Sequence, residues 1–350
     1  MKAAVLTKLN APLSVMEVEP VQQSYDNLCG NGQVLVEVIA SGICGSQLQE
    51  IQGNKGNAAF LPHMMGHEGV GVVRKTGPGV SVQLEGKRVV MHWRKGAGPE
   101  AFQTARYQSG SLTIGGGHVT TLCESAIVSA NRLTVVPDDV PDELCALLGC
   151  GLSTALGTIE QEAQVKFGES VLIVGCGGVG LNLIQAARLA CAFPVVALDV
   201  IDEKQSVCKK LGANVFVNPK SGLEKLRDAA GKRGFDVIID TSGSVEALEM
   251  TIPLLSDTGR YVMVGQPKPG QSFKVEGALH MFSGEGKRIM ATQGGRFMPS
   301  LDIPRYVNLW RSGLLSLDGV VSHRLCLDDI NEGIQLVVQG QAGRVMVHMR

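Results

Sequence analysis

The chain has 350 residues, enough for two domains, with 44% hydrophobic and 19% charged residues and a formal net charge of −1. There is no basic run or acidic tail to mark a nucleic-acid or membrane-surface partner, and no apolar stretch reaches the length of a membrane span. The start, MKAAVLTKLN, lacks the apolar run and cleavage site of a signal peptide, and the nine cysteines (29, 44, 123, 145, 150, 176, 191, 208 and 326) form no C-x-x-C pair, so a reduced cytoplasmic protein is expected.

Residues 1 to 40 alternate as strands do, at Ala3–Leu6 and Val34–Ile39, with Pro12, Pro20, Gly30 and Gly32 marking loops. Gly69–Val73, Lys87–Met91, Ala126–Val128 and Leu133–Val136 read as further short strands, which suggests a compact all-β unit. Pro141–Thr158 is a switch region, acidic at first, then apolar and helix-compatible. From Gly168 strands alternate with helices, at 171–174, 181–191, 195–199, 202–211, 214–217, 222–230, 235–240, 245–256 and 260–264. This is the βαβ order of a doubly wound parallel sheet. Residues 287–292 add a strand and Pro304–Trp310 a helix. His323–Arg350 reads as strand, helix, strand, and could return to the first domain.

Within the alternating region, Val171–Val174 runs into Gly175-Cys176-Gly177-Gly178-Val179-Gly180, which fits G-x-G-x-x-G; a helical pattern follows, and a second strand ends at Asp199. Gly175 allows the tight turn, Gly177 lets a pyrophosphate approach the backbone, and Gly180 lets the helix lie close to the strand. The N–H groups of Gly178 and Val179 open a helix whose positive end faces that phosphate. Asp199 can accept hydrogen bonds from both hydroxyls of an adenosine ribose and would repel a 2′-phosphate, which favours NAD over NADP.

Three places in the first 155 residues offer metal ligands: Cys44 in GICGS, His67 with Glu68 in GHEG, and Cys150 in GCG. Spacing alone does not join them, and for any one of them a buried cysteine or a satisfied histidine is the default. Six landmarks in order give more: GICGS at 42–46, GHEGVGVV at 66–73, GCGLST at 149–154, VLIVGCGGVG at 171–180, DIPR at 302–305 and Gly343-Arg344-Val345. With these the chain resembles the zinc-containing medium-chain alcohol dehydrogenases, of the medium-chain dehydrogenase/reductase family, over nearly its whole length.

The resemblance implies an α/β fold: a GroES-like β-rich catalytic domain at 1–152, an inserted Rossmann NAD-binding domain at 153–293, and a segment at 294–350 completing the first. It implies one catalytic zinc on Cys44, His67 and Cys150, with Glu68 behind it and able to swing onto the metal. Two thiolates and an imidazole leave a position open for an alcohol, whose oxidation sends hydride to the nicotinamide. Ser46 would take the substrate proton and Trp93 would line the substrate pocket. Thr154, Val264 and Gly265 would border the nicotinamide, Lys204 the adenosine ribose, and Arg344 the pyrophosphate. The partners implied are a small alcohol or carbonyl substrate and further copies of the chain, as a homodimer or homotetramer.

Three departures from the family pattern bear on this. Met91–Gly117 contains no cysteine, so no structural zinc is expected. Gln47 stands where an aspartate usually orients the zinc-bound histidine. Gln49 stands where many members end the proton relay with a histidine, and an amide cannot be a general base, so the proton must leave through water or another route. His92 should point away from the pocket, since strand side chains alternate. Arg94 and Lys95 beside Trp93 suggest a hydroxylated or anionic substrate such as a polyol or sugar derivative. Two other readings stand beside this one: a zinc-free reductase of activated double bonds, and a non-catalytic dinucleotide-binding protein.

Overall fold

Val34, Val36, Val38 and Ala40 are buried along one strand, while Leu35, Glu37 and Ile39 between them are half-buried, the period-two pattern of a strand with one face on a core. It belongs to the first of two compact units in a computed structural model that describes residues 1–21, 28–55, 58–282, 284 and 286–349. Unit 1 is Met1–Gly151 with Met298–Arg350, and unit 2 is Leu152–Phe297. Arg350, the end of the last expected stretch, lies outside the described residues.

In chain order, unit 1 begins with β1 (Lys2–Leu6), β2 (Ser14–Glu17), β3 (Glu19–Pro20), β4 (Gln33–Ile43), helix α1 (Gly45–Ile51), β5 (His63–Met64) and β6 (Glu68–Thr76). It continues with β7 (Arg88–His92), β8 (Arg106–Ser109), β9 (Leu112–Gly115), β10 (Ser125–Ser129), β11 (Leu133–Val135) and α2 (Asp142–Leu148). Helix α3 (Gly151–Gly157) leads into unit 2. There β12 (Val171–Val174), β13 (Val195–Leu198), β14 (Val215–Val217), β15 (Phe235–Asp240), β16 (Leu255–Met263) and β17 (Arg288–Ala291) alternate with α4 (Gly178–Leu189), α5 (Gln205–Leu211), α6 (Glu224–Ala230) and α7 (Val245–Thr251). The chain then returns to unit 1 with α8 (Pro299–Arg311), β18 (Val321–Cys326), α9 (Ile330–Val338) and β19 (Arg344–His348).

Unit 2 is a six-stranded sheet in the order β14-β13-β12-β15-β16-β17, every pair parallel. Its central strand β12 is buried at all four residues, as a strand covered by helices on both faces must be. Unit 1 has a seven-stranded sheet, β11-β7-β6-β4-β19-β18 with β10 also on β4, and a six-stranded sheet, β2-β1-β5-β9-β8-β3. Leu6, Val34, Ile43, Met65, Met91, Ile127 and Val345 belong to the core of that unit.

Several boundaries differ from the sequence expectation, for identifiable reasons. The helix expected over 245–256 stops at Thr251, because Pro253 cannot donate a helical hydrogen bond, and Leu255 already belongs to β16. The helix expected from Pro304 starts at Pro299, where a missing N–H costs nothing, and Asp302 accepts from the Met298 N–H at 2.7 Å. The switch region is two helices broken at Gly149 and Cys150. A Cβ at Gly149 would lie 2.3 Å from the Met91 carbonyl, so only glycine lets the break sit against β7. Helix α1 and the short strands β2, β3, β5, β8 and β9 have no counterpart in the sequence expectation. Among the described residues no single helix is long and apolar enough to cross a membrane.

Candidate active site

The candidate metal ligands all lie where regular structure stops. Cys44 is the N-cap of α1, immediately after β4. His67 precedes β6, and Cys150 sits in the break between α2 and α3. The three side chains nevertheless converge: the two sulfurs and one ring nitrogen lie within 4.8 Å of one another. A tetrahedral zinc with about 2.3 Å bonds to sulfur needs donors about 3.8 Å apart, so small side-chain adjustments close the site.

The electrostatics of the sulfur pair suit a cation. The Cys150 sulfhydryl donates to Cys44, and together with His67 and Arg344 it holds the Cys44 thiol well below its ordinary range, against the opposing effect of burial. Cys150 is pushed up by the same contact and by burial, so one thiolate forms first. Burial disfavours the His67 imidazolium, but the Cys44 thiolate outweighs it and raises the group.

Behind these donors lies a charged layer. Glu68 is 0% exposed and Arg344 3% exposed, with Arg344 Nη1 3.1 Å from Glu68 Oε1. Glu68 Oε2 accepts from the Gly151 N–H at 2.8 Å, and Arg344 Nη1 donates to the Ile43 carbonyl at 3.0 Å. Burial pushes the Glu68 carboxyl up, while Arg344 opposes that shift. Glu68 therefore stays outside the three-donor group, paired to a cation. Arg344, expected at a pyrophosphate, has its guanidinium buried here. A Cβ on Gly151 would come within 1.6 Å of Arg344 Nη2, so the landmark glycine makes room for that guanidinium.

Ser46 Oγ lies 3.4 Å from His67 Nε2, beside the donors. Gln47 does not turn its oxygen to the imidazole: Oε1 accepts from the Cys44 N–H at 2.7 Å, and Nε2 is buried without a partner. Gln49 Oε1 accepts from Asn54 Nδ2 at 2.7 Å. On β7, His92 is directly opposite Glu68, and Trp93 follows just past the end of the strand. The Arg94 guanidinium lies 5.2 Å from the Trp93 ring centroid, and Arg132 donates to the Trp93 carbonyl at 2.6 Å. His92 is fully buried: Nδ1 donates to the Arg94 carbonyl at 2.7 Å and Nε2 faces Thr134 Oγ1 at 3.0 Å. In the cysteine-free loop, Glu100 bridges Lys95 at 2.7 Å and Arg132 at 3.4 Å.

In unit 2 the glycine loop has the form expected. Gly175 has φ +85° and takes a hydrogen bond on its carbonyl from Thr241 Oγ1 at 2.8 Å. Gly177 is the N-cap of α4 with no side-chain cap, so the N–H groups of the first turn are left for an anion. A Cβ at Gly177 would meet nothing within 4 Å, whereas one at Gly180 would lie 1.9 Å from the Gly175 carbonyl. Open space at one glycine and close approach at the other fit a phosphate cradle packed on its strand. Asp199 is 8% exposed; its oxygens accept from the Cys176 N–H at 2.6 Å and the Ile201 N–H at 3.0 Å, and Lys204 Nζ is 3.1 Å away. Thr154 is 5% exposed on α3. The N–H groups of Val264 and Gly265, just past β16, both donate to the Asp240 carbonyl, at 2.8 and 2.9 Å.

Comparison with known proteins agrees with this fold. Residues 30–138 match the alcohol dehydrogenase GroES-like domain, and residues 178–307 match the zinc-binding dehydrogenase domain. The chain belongs to the zinc-containing medium-chain alcohol dehydrogenase family. It is an oxidoreductase acting on CH–OH groups. It is 28% identical to S-(hydroxymethyl)glutathione dehydrogenase of Paracoccus denitrificans, over 99% of both chains. Benzyl alcohol dehydrogenase of Acinetobacter calcoaceticus has the same fold at a TM-score of 0.82, with 23% identity, covering 100% of this chain and 99% of that one. A chain from Sinorhizobium meliloti 1021 solved bound to NADP gives a TM-score of 0.78 at 23% identity, covering 99% of this chain and 98% of that one.

Proposed function

We propose that the protein oxidises a primary or secondary alcohol with one zinc ion and NAD, Cys44, His67 and Cys150 holding the metal. The observation that carries this reading is the convergence of those three donors, far apart in sequence, on one point. When bound, zinc supplies a Lewis acid for the alcohol oxygen, and NAD accepts the hydride. The chain supplies the rest. Cys44 already favours the thiolate a cation needs, and His67, which the thiolate holds toward its imidazolium, gives up that proton when a cation takes its place. Arg344 balances the buried Glu68, so that the pocket behind the donors is not left with an unpaired carboxylate. Ser46 offers a hydroxyl beside His67 to receive the substrate proton.

For the cofactor, the uncapped start of α4 holds the pyrophosphate, and Asp199 with Lys204 holds the adenosine ribose. Thr154, Val264 and Gly265 border the nicotinamide. Asp199 favours NAD because a 2′-phosphate there would meet a carboxylate. Glu68 is the reserve metal ligand and Trp93 a wall of the substrate pocket. Arg94 and Lys95 nearby favour a polyol or sugar-derived alcohol over a simple alkanol. The catalytic domain is assigned to 1–152 with 294–350, and the nucleotide domain to 153–293. A cytoplasmic homodimer or homotetramer with reduced cysteines and no structural zinc completes the reading.

The test is metal analysis combined with an alcohol panel scored by NADH formation. About one zinc per chain and turnover of a secondary alcohol or polyol are expected, with NAD preferred to NADP in kcat/KM. Retention of metal and turnover by Cys44→Ala would refute the ligand assignment.

A further inference from the structure

Alcohol oxidation releases one proton for every hydride transferred, and Gln49 cannot accept it. The Ser46 hydroxyl, on the first turn of α1, lies 3.4 Å from His67 Nε2. Four residues on, one helical turn away on the same face, stands Glu50. Glu50 Oε1 is 3.1 Å from His63 Nε2, and the two side chains are 37% and 18% exposed, so the pair links the site to solvent. Glu50 also lies within electrostatic reach of His67.

We propose that Glu50 and His63 form the proton exit of this enzyme, taking the proton delivered by Ser46. This rests on the alcohol dehydrogenase reading above. Cβ atoms one turn apart are about 6 Å apart, a gap that one water spans by hydrogen bonds to the Ser46 hydroxyl and the free Glu50 oxygen. The balance is simple. As the alcohol O–H breaks, its proton passes to the Ser46 oxygen while the Ser46 proton moves through that water to the Glu50–His63 pair. The pair goes from a carboxylate with a neutral imidazole to a carboxylate with an imidazolium. It then returns the proton to bulk water.

The surroundings support proton storage. Lys55 and His67 are the other charged or titratable groups acting on Glu50. Beside His63, β1 contributes Leu6 and β9 contributes Gly115, neither of them charged. His63 Nδ1 is buried without a partner, so Nε2, facing Glu50, is the nitrogen through which the ring exchanges protons. Burial of Glu50 raises its carboxyl, but once the His63 ring carries the proton on Nε2 its hydrogen bond and charge outweigh that, so the carboxylate stabilises the imidazolium.

The experiment compares the zinc-loaded wild-type enzyme with Glu50→Gln and His63→Ala, in buffers of low and high concentration. For both variants kcat for alcohol oxidation near pH 7 should fall by about tenfold to a hundredfold, with zinc content and KM for NAD unchanged. The acid-side inflection of the wild-type kcat profile should be absent. Added imidazole should restore much of the rate in His63→Ala, which a purely structural loss would not allow. Wild-type kcat and pH profile in both variants at low buffer would overturn the proposal with the function intact. Reduced kcat that kept the wild-type inflection and ignored imidazole would overturn it too. Absence of alcohol turnover in the zinc-loaded wild type would instead refute the function, and this relay with it.

Discussion

Buried His92 makes unit 1 sensitive to mild acid. It is 0% exposed, and burial lowers it from 6.5 to about 4, helped by Arg132 and opposed by the Arg94 carbonyl. The folded-state value lies below the unfolded one, so the unfolded chain binds the proton first. Stability is therefore complete above about pH 6.5 and is lost as pH falls toward 4. Each tenfold difference in proton affinity between the folded and unfolded chain is worth about 1.4 kcal/mol. The full loss is then about 3 kcal/mol, of which about 2 kcal/mol falls between roughly pH 7.5 and pH 5. Both tryptophans, Trp93 and Trp310, lie in unit 1, so their fluorescence during guanidinium unfolding reports that unit alone. His92→Asn keeps a donor for the Arg94 carbonyl and cannot titrate. It should start about 1–2 kcal/mol less stable, because Thr134 loses its partner, yet lose about 2 kcal/mol less than wild type between those two pH values. Equal acid losses in wild type and variant would refute the assignment of the buried neutral imidazole.

Other expectations follow from the same geometry. Gly177→Ala should leave unit 2 folded, because its Cβ meets open space, but weaken NADH binding at least about tenfold by fluorescence titration, because a methyl group would occupy the phosphate approach. Gly180→Ala, with its Cβ 1.9 Å from a carbonyl, should instead lower the thermal midpoint of the protein. Arg344→Met leaves Glu68 buried and unpaired and should cost about 3–5 kcal/mol by tryptophan-monitored denaturation. Most of that should return in Arg344→Met with Glu68→Gln. Removing zinc with a chelator should cost about 2.7 kcal/mol in the same denaturation assay if the metal is held at a hundredfold excess over its Kd.

Unit 2 is readable in the sequence because its strands carry short apolar runs set among helical patterns: Val171–Val174 and Phe235–Asp240 lie where the pattern puts them. Unit 1 is harder. Strands of two to four residues such as β5 and β9 have too few positions to display a period, and α1 is a seven-residue helix without an acidic first turn. The three metal donors come from three separate chain breaks, so only the family resemblance joins them. Two partnerships have no local signal at all. Arg344 meets Glu68 because β19 pairs with β4, and Gln47 spends its oxygen on the Cys44 N–H within its own turn. The Glu50–His63 pair is half visible, since Ser46 and Glu50 have helical spacing once α1 is recognised.

One consequence of the strand order concerns synthesis. β19 lies between β4 and β18, so the seven-stranded sheet of unit 1 cannot close until residue 348 has left the ribosome. Unit 2 is one continuous stretch, Leu152–Phe297, and can fold while its predecessor waits. A nascent chain of about 300 residues would thus carry a finished nucleotide fold and an open-edged β half whose Glu68 has no counter-ion. Slow translation of the final stretch would prolong exposure of the β4 edge, the place where chaperone capture or aggregation would begin.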